Sequence, residues 1–169
     1  MSNIEASETE IIRVEQAEIP ELSTVASKVV KEHYDPLIGA TQNDYMIEKF
    51  QSETALSKQF EDGWRYFWVR QDHDAAGFFA IYPRDGGMYI SKFYLQKQFR
   101  GRHLARKMLE FIQEMAKQEG LSHVFLNVNR GNTDTIHIYQ HLGFVKVREE
   151  DIDIGGGYYM NDYVMEIRV

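Results

Sequence analysis

The sequence predicts an α+β fold: a mixed, mostly antiparallel central sheet with helices on both faces, in the order β-α-α-β-β-β-α-β-α-β-β. Three observations carry that prediction. Trp64 to Arg70, Ala75 to Tyr82 and Met88 to Leu95 are apolar or alternating segments. Turn residues at Gln71–Asp74 and Pro83–Gly87 separate them, which is the pattern of an antiparallel meander. Gly101 to Glu119 then places Leu104, Met108, Phe111, Ile112 and Met115 on one helical stripe, with Gly120 as its C-cap glycine. Beyond it, short strand and helix signals alternate to the end of the chain.

Taken in order, Ile11 to Ala17 reads as the first strand. Ile19 to His33 follows as a helix, with Pro20 near its start and Leu22, Val25, Ala26, Val29 and Val30 on one face. His33 to Ala40 contains Pro36 and Gly39 and reads as a loop. Thr41 to Asp62 holds one or two short helices, with Tyr45, Met46, Phe50, Leu56 and Phe60 as apolar positions, ended by Gly63. The meander and the long helix come next. Val124 to Val128 is a short buried strand, and Thr133 to His141 a short helix closed by Gly143. Phe144 to Glu150 and Tyr158 to Val169 are the last strands, joined by a turn at Ile154–Gly157. Residues 1–169 are expected to form a single domain, with residues 1–9 a flexible N-terminal tail.

Composition narrows the function. The 169 residues include no cysteine, so disulfides, thiolate metal sites and cysteine nucleophiles are excluded within them. The formal net charge of −7 should repel a phosphate backbone, which argues against a nucleic-acid partner. No apolar run approaches the roughly 20 residues needed to cross a bilayer, so no membrane partner is expected. Met1 to Glu10 is polar and acidic, without the basic flank and apolar stretch of a signal peptide, and a cytoplasmic location is the expectation. His137 and His141 have the four-residue spacing of helical metal ligands. Ile138 follows His137 where the zinc-protease pattern needs Glu, and no third ligand is evident, so no metal is expected.

One segment breaks an electrostatic rule. Arg100, Arg102, Arg106 and Lys107 crowd the start of the long helix, and no acid appears until Glu110. A helix N-terminus carries partial positive charge, so each such cation costs roughly 0.3–1 kcal/mol when exposed. A bound polyanion resolves the conflict, because free backbone N–H groups, the helix dipole and the cations then act together. Gly101 would let the backbone approach that ligand closely.

The same segment, Gln98-Phe99-Arg100-Gly101-Arg102-His103-Leu104-Ala105-Arg106, resembles the acyl-CoA pyrophosphate loop of the GNAT N-acetyltransferase superfamily, written Gln/Arg-x-x-Gly-x-Gly/Ala. Gln98 and Gly101 match. His103 stands where a small residue is usual, and Ala105 matches the next small position. Ser91-Lys92-Phe93-Tyr94-Leu95 looks like the superfamily's fourth strand. Asn132-x-x-Thr135-x-x-x-Tyr139-x-x-x-Gly143-Phe144 resembles its Asn-x-x-Ala-x-x-x-Tyr-x-x-x-Gly-Phe, and Asn161-Asp162-Tyr163-x-Met165 its last strand. The likeness runs from about Trp64 to Val169.

The resemblance implies an acyltransferase that moves the acetyl group of acetyl-CoA to a primary amine of a small molecule by direct attack. It implies cofactor contacts from Phe93, Tyr94 and Leu95 of the fourth strand, from Arg100, Gly101, Arg102, His103, Leu104, Ala105 and Arg106 of the loop, and from Asn132 and Tyr139. Tyr139 is the implied catalytic general acid toward the departing thiolate, or a hydrogen-bond donor to the sulfur. With a tyrosine pKa of about 10 and a thiol's of about 8.5, donation is slightly uphill. Asn132 also suits the N-cap of its helix, and both roles stand. The usual strand glutamate is absent from Tyr89-Ile90-Ser91-Lys92, so the general base is unassigned among Glu32, His33, Asp35, Asp44, Glu48 or a group on another strand. A homodimer is a further implication, with no interface fixed. Two alternatives follow: a spermidine or spermine acetyltransferase, from the net charge and the acids of His33 to Glu53, and a CoA-binding module without turnover, from His103 and the absent glutamate.

Overall fold

A computed structural model describes residues 8–169. Its strands are β1 (Thr9–Arg13), β2 (Arg65–Gln71), β3 (Asp74–Arg84), β4 (Gly87–Leu95), β5 (His123–Asn129), β6 (Val145–Gly155) and β7 (Tyr158–Arg168). Its helices are α1 (Ile19–Ile38), α2 (Ala40–Gln51), α3 (Glu53–Glu61), α4 (Leu104–Gln118) and α5 (Thr133–Leu142), with single 3-10 turns at Gln16–Glu18 and Lys97–Phe99. The seven strands form one sheet in the order β1-β2-β3-β4-β5-β7-β6. Every neighbouring pair is antiparallel except β4 with β5.

Two apolar layers cover the sheet. On one face Met108, Leu109 and Ile112 of α4 and Ile136 and Tyr139 of α5 pack on Phe79, Ile90, Leu126 and Met165. On the other, Leu22 and Ala26 of α1 and Leu56 of α3 pack on Tyr66, Trp68 and Phe78. Helices therefore lie on both faces of a mostly antiparallel sheet, as the sequence predicts.

The boundaries differ where local hydrogen bonding overrides pattern. The first strand stops at Arg13 because the Glu15 backbone N–H is taken by the Glu18 carboxylate at 2.9 Å, which turns the chain into α1. The expected tail falls on residues 1–7, outside the described residues, and on two that are held. The Glu8 N–H donates to Asp72 at 3.0 Å, and Thr9 pairs with Gln71.

The loop expected at His33 to Ala40 is instead the last turns of α1, which runs through Pro36 to Ile38. Pro36 has no N–H and forfeits its own i→i−4 bond, so other contacts must hold this turn. Asp35 pins the turn: its carboxylate meets Lys31 at 2.9 Å and Asn43 at 2.7 Å, and its carbonyl accepts from Gly39 at 3.0 Å. The long helix, in contrast, begins at Leu104, because Gly101 (φ 78°) and His103 (φ 61°) are left-handed and cannot join it.

The site is created by two irregularities in β4. A bulge at Ser91 shifts the register against β3, from Ile81↔Ile90 to Ala80↔Lys92. Met88 and Ile90 therefore face the α4 layer, and after the bulge Phe93 and Leu95 do. Meanwhile β4 pairs with β5 only from Met88↔Val124 to Ile90↔Leu126, so the two strands part beyond Ile90.

Candidate active site

The parting of β4 and β5 opens a cleft of about 830 Å³ between the end of β4, the start of α4, α5 and the end of α1. Phe93, Tyr94, Leu95, Arg100, Gly101, His103, Leu104, Ala105, Arg106, Asn132 and Tyr139 all line it. Arg102 does not. Its guanidinium donates to Gln71 at 2.9 Å and lies over the Phe99 ring, so it braces the loop against β2 from outside the cleft.

The loop gathers unpaired N–H groups beside its cations. The first intrahelical bond of α4 runs from the Lys107 N–H to the His103 carbonyl, at 3.3 Å. The N–H groups of Leu104, Ala105 and Arg106 thus point out of the open helix end. Left-handed residues at Gly101 and His103 fold the preceding backbone into a concave turn of the kind that gathers N–H groups around an anion. A Cβ at Gly101 would meet nothing within 4 Å, so backbone conformation and the open cleft, not crowding, favour glycine there. At His103 the same backbone form accounts for the small residue usual in this loop; His103 adopts it without a side-chain capping bond.

Asn132 occupies the N-cap position of α5, yet its side chain makes no capping bond. The amide is 5% exposed and reaches across the cleft to α1, with Nδ2 3.0 Å from His33 Nε2. Burial, then the charge of Arg100, holds the His33 imidazole below its ordinary pKa. Tyr34 lines the same wall of the cleft, and burial raises its pKa.

Tyr139 is 8% exposed between Phe93 and Phe144, with ring centroids 6.0 and 5.6 Å away. It lines the large cleft and also a second, water-sized hollow of about 30 Å³ in the gap itself. Burial first, then Tyr34, pushes its pKa up, so its proton stays on through the neutral range. Position and hydrogen bonding, not acidity, are what this residue offers.

Behind the gap, on the sheet face opposite α4 and α5, lies a polar network. The Tyr89 hydroxyl donates to Asn127 Oδ1 at 3.0 Å, and Asn127 Nδ2 donates to Glu150 at 3.1 Å and to Asp162 at 3.3 Å. Asp162 is 2% exposed, and desolvation pushes its pKa up to about 6. Glu150 goes the other way, lowered by the Asn127 bond and by Arg148 at 2.9 Å. The acids suggested by the sequence serve elsewhere: Asp35 and Asp44 both hold Lys31, at 2.9 and 3.2 Å, and Glu32 and Glu48 are exposed.

The glycine turn between β6 and β7 leans on α2. The Ile154 carbonyl accepts from Tyr45 at 3.0 Å and also from Lys49. A Cβ on Gly155 would sit 2.8 Å from the Tyr45 hydroxyl, and one on Gly156 3.0 Å from its ring. This close approach requires the bare backbone and fixes the hairpin against the helices.

Sequence reading missed Tyr34, Leu37, Asn127 and Glu150. Tyr34 and Leu37 were hidden by the proline and glycine that mimic a loop. Asn127 and Glu150 carry no signal in a single strand, because their meaning comes from strand pairing. Among the described residues, no three His, Cys, Asp or Glu are placed to hold a metal, and no helix is long and apolar enough to cross a membrane.

A family model described as the acetyltransferase (GNAT) family matches residues 29–144. A probable spermine N(1)-acetyltransferase of Bacillus subtilis subsp. natto is 31% identical over 72 residues, 40% of this chain and 47% of that protein. The match thus spans about half the length of that relative. An uncharacterized N-acetyltransferase of Lactobacillus delbrueckii subsp. lactis is 21% identical over 154 residues, 86% of this chain and 89% of that one. Among solved structures, the PaiA N-acetyltransferase of Thermoplasma acidophilum in complex with coenzyme A superposes with a TM-score of 0.77 at 18% identity, over 96% of this chain and 99% of that one. A GCN5-related N-acetyltransferase of Rhodopseudomonas palustris gives 0.80 at 10% identity, over 99% and 100%.

Proposed function

The chain belongs to the acetyltransferase (GNAT) family, and from that premise we propose that it transfers the acetyl group of acetyl-CoA to a primary amine of a small molecule, within one domain. The observation that carries this reading is the joining, in one cleft, of the anion-shaped loop at Gly101 to Arg106 with the β4–β5 gap beside Tyr139. A pyrophosphate fits the loop, whose N–H groups are free and whose cations need a counter-charge. Acetyl-CoA supplies an activated thioester.

The chain's residues do the rest. Beyond the bulge, the groups of Phe93 to Leu95 that face away from β3 have lost their β5 partners. The Leu95 carbonyl accepts from the Arg100 guanidinium at 3.2 Å; the others can bond an extended arm and donate to a carbonyl oxygen that gains charge in the transition state. Tyr139, protonated at neutral pH, donates a hydrogen bond to the departing sulfur. Asn132 ties the α1 wall of the cleft to α5 through His33. The loop and gap set the ends of the bound molecule, which gives the geometry that direct attack needs.

A polyamine acceptor is the finer reading. It is supported by the spermine acetyltransferase likeness and by the carboxylates of Glu150 and Asp162 behind the gap. Calorimetric titration with acetyl-CoA, repeated on Gly101→Glu, tests the cofactor assignment: binding is expected for the native protein and loss for the variant. An amine panel that includes spermidine and spermine tests the acceptor. Tight binding with no turnover on any amine would leave a CoA-binding module.

A further inference from the structure

We infer that Lys92 selects the bulged register of β4 and so aims the Phe93 to Leu95 segment at the cleft, as a positioning residue that acts through the strand. Its consequence for acetyl-CoA rests on the acetyltransferase reading above, while the register itself needs no cofactor.

Two registers are open to β4 beyond Ile90, which stands opposite Ile81. In the bulged one Ser91 is the extra residue, Lys92 pairs with Ala80, Phe93 with Phe79 and Tyr94 with Phe78. In an even register, without the bulge, Ser91 would pair with Ala80, Lys92 with Phe79 and Phe93 with Phe78. A slip of one residue sends every later side chain to the opposite face of the sheet. Phe93 and Leu95 would then leave the α4 layer, and the cleft wall they form would be built from other groups.

Apolar chemistry does not choose between the two. Phe79 meets Phe67 and Phe111 on the α4 side, with ring centroids 5.1 and 6.0 Å apart, and Phe78 meets Tyr66 and Tyr94 on the other, at 6.4 and 5.5 Å. An aromatic ring such as that of Phe93 suits either layer. Lys92 suits only one. It is 5% exposed, and its Nζ donates to the Phe50 carbonyl at 2.6 Å, to Gln51 Oε1 at 2.8 Å and to Gln59 Oε1 at 3.1 Å. The rings of Tyr66 and Trp64 face it, 5.2 and 5.8 Å away. Burial lowers the pKa of this amine, and charged or neutral it needs such partners. In the even register the same nitrogen would enter the α4 layer, whose buried members are apolar side chains and Tyr139.

The surrounding strand accommodates the shift. The Ser91 hydroxyl donates to the Ala80 carbonyl at 3.3 Å, which gives the extra residue a partner. Farther on, a Cβ on Gly77 would collide with the Tyr94 carbonyl, so β3 is bare where the shifted strand comes closest. The lysine thus excludes the even register, and serine and glycine make the bulged one fit.

The test compares native protein with Lys92→Met, Lys92→Arg and Gln59→Leu, reading the cross-strand NMR contacts of residue 92 and the binding of acetyl-CoA by calorimetry. Methionine is as long as lysine and packs in either layer. Lys92→Met should therefore show contacts of residue 92 with Phe79, and bind acetyl-CoA about tenfold more weakly or worse. Lys92→Arg is still excluded from the apolar layer, and should keep the Ala80 contact and an affinity within about threefold of native. Gln59→Leu removes an acceptor and leaves the lysine, so it should melt lower with register and affinity unchanged. A residue that merely anchors β4 to α2 and α3 would lower melting in these variants and move the register in none. Lys92→Met with only the native contacts and an affinity within about threefold overturns the inference. Should Lys92→Met not fold, Lys92→Arg decides: contact of residue 92 with Ala80 sustains the inference, and contact with Phe79 overturns it. The NMR contacts are read without acetyl-CoA, so native protein that binds none fails the cofactor reading while the register result still stands.

Discussion

Asn132 Nδ2 lies 3.0 Å from His33 Nε2, and this contact ties the start of α5 to the end of α1 across the cleft. Both residues line that cleft. The amide that could have capped its own helix is spent instead on a helix 99 positions away in the sequence.

Asn132→Ala therefore strips a partner from His33. We expect a loss of about 1–3 kcal/mol in stability by thermal melting and weaker acetyl-CoA binding by calorimetry. Asn132→Ser, an equally good helix cap, should rescue neither. Rescue by serine would return the residue to a capping role.

His103 carries a left-handed backbone at φ 61°, which costs an L-residue roughly 1–2 kcal/mol, less for histidine than for most. His103→Gly should relieve that strain, offset in part by glycine's greater unfolded entropy. The expected net gain is about 0.5 kcal/mol or less, read as a small rise in urea midpoint. A fall of more than 1 kcal/mol would mean that the imidazole makes a stabilising contact.

Tyr139→Phe removes the donor and keeps the ring between Phe93 and Phe144. The expectation is a drop of about 10²-fold in kcat, with acetyl-CoA affinity within threefold. Because burial raises the Tyr139 pKa, any basic limb of the native rate profile below pH 10 should persist in the variant. Disappearance of such a limb would show that Tyr139 titrates.

Asp162 should make stability depend on pH. Its folded pKa, about 6, lies above an unfolded value near 4, so the folded state binds the proton more tightly. The stabilisation is complete below pH 4 and is lost as pH rises through 6. The full effect is on the order of 2–3 kcal/mol for a group this buried. Asp162→Asn is expected to melt higher than native at pH 8, with a difference that shrinks toward pH 4. Equal melting at both pH values would mean that Asp162 is effectively solvated.

Local patterns determined a great deal. Alternation in the meander, the apolar stripe of Leu104, Met108 and Ile112, and the glycines at 120 and 143 specify strands, helices and stops within a few residues. These depend on contacts between near neighbours, and near neighbours are what a sequence displays. The cations at Arg100 to Lys107 were legible for the same reason, since a helix end and its charges lie on adjacent residues.

What lay beyond the sequence was everything decided by distant partners. Pro36 and Gly39 suggest a loop, yet Lys31, Asp35 and Asn43 hold the chain helical to Ile38 and thereby deliver His33 and Tyr34 to the cleft. Arg102 reads like its neighbours and turns outward, because Gln71 and Phe99 offer it partners there. The bulge at Ser91 reverses the facing of β4, and the parting from β5 makes the cleft. Asn127 and Glu150 are unremarked polar residues, and Asp162 only part of a strand motif, until register sets the three side by side. Burial then separates their acidities, because desolvation depends on what surrounds a group in space, and the sequence lists only what precedes and follows it.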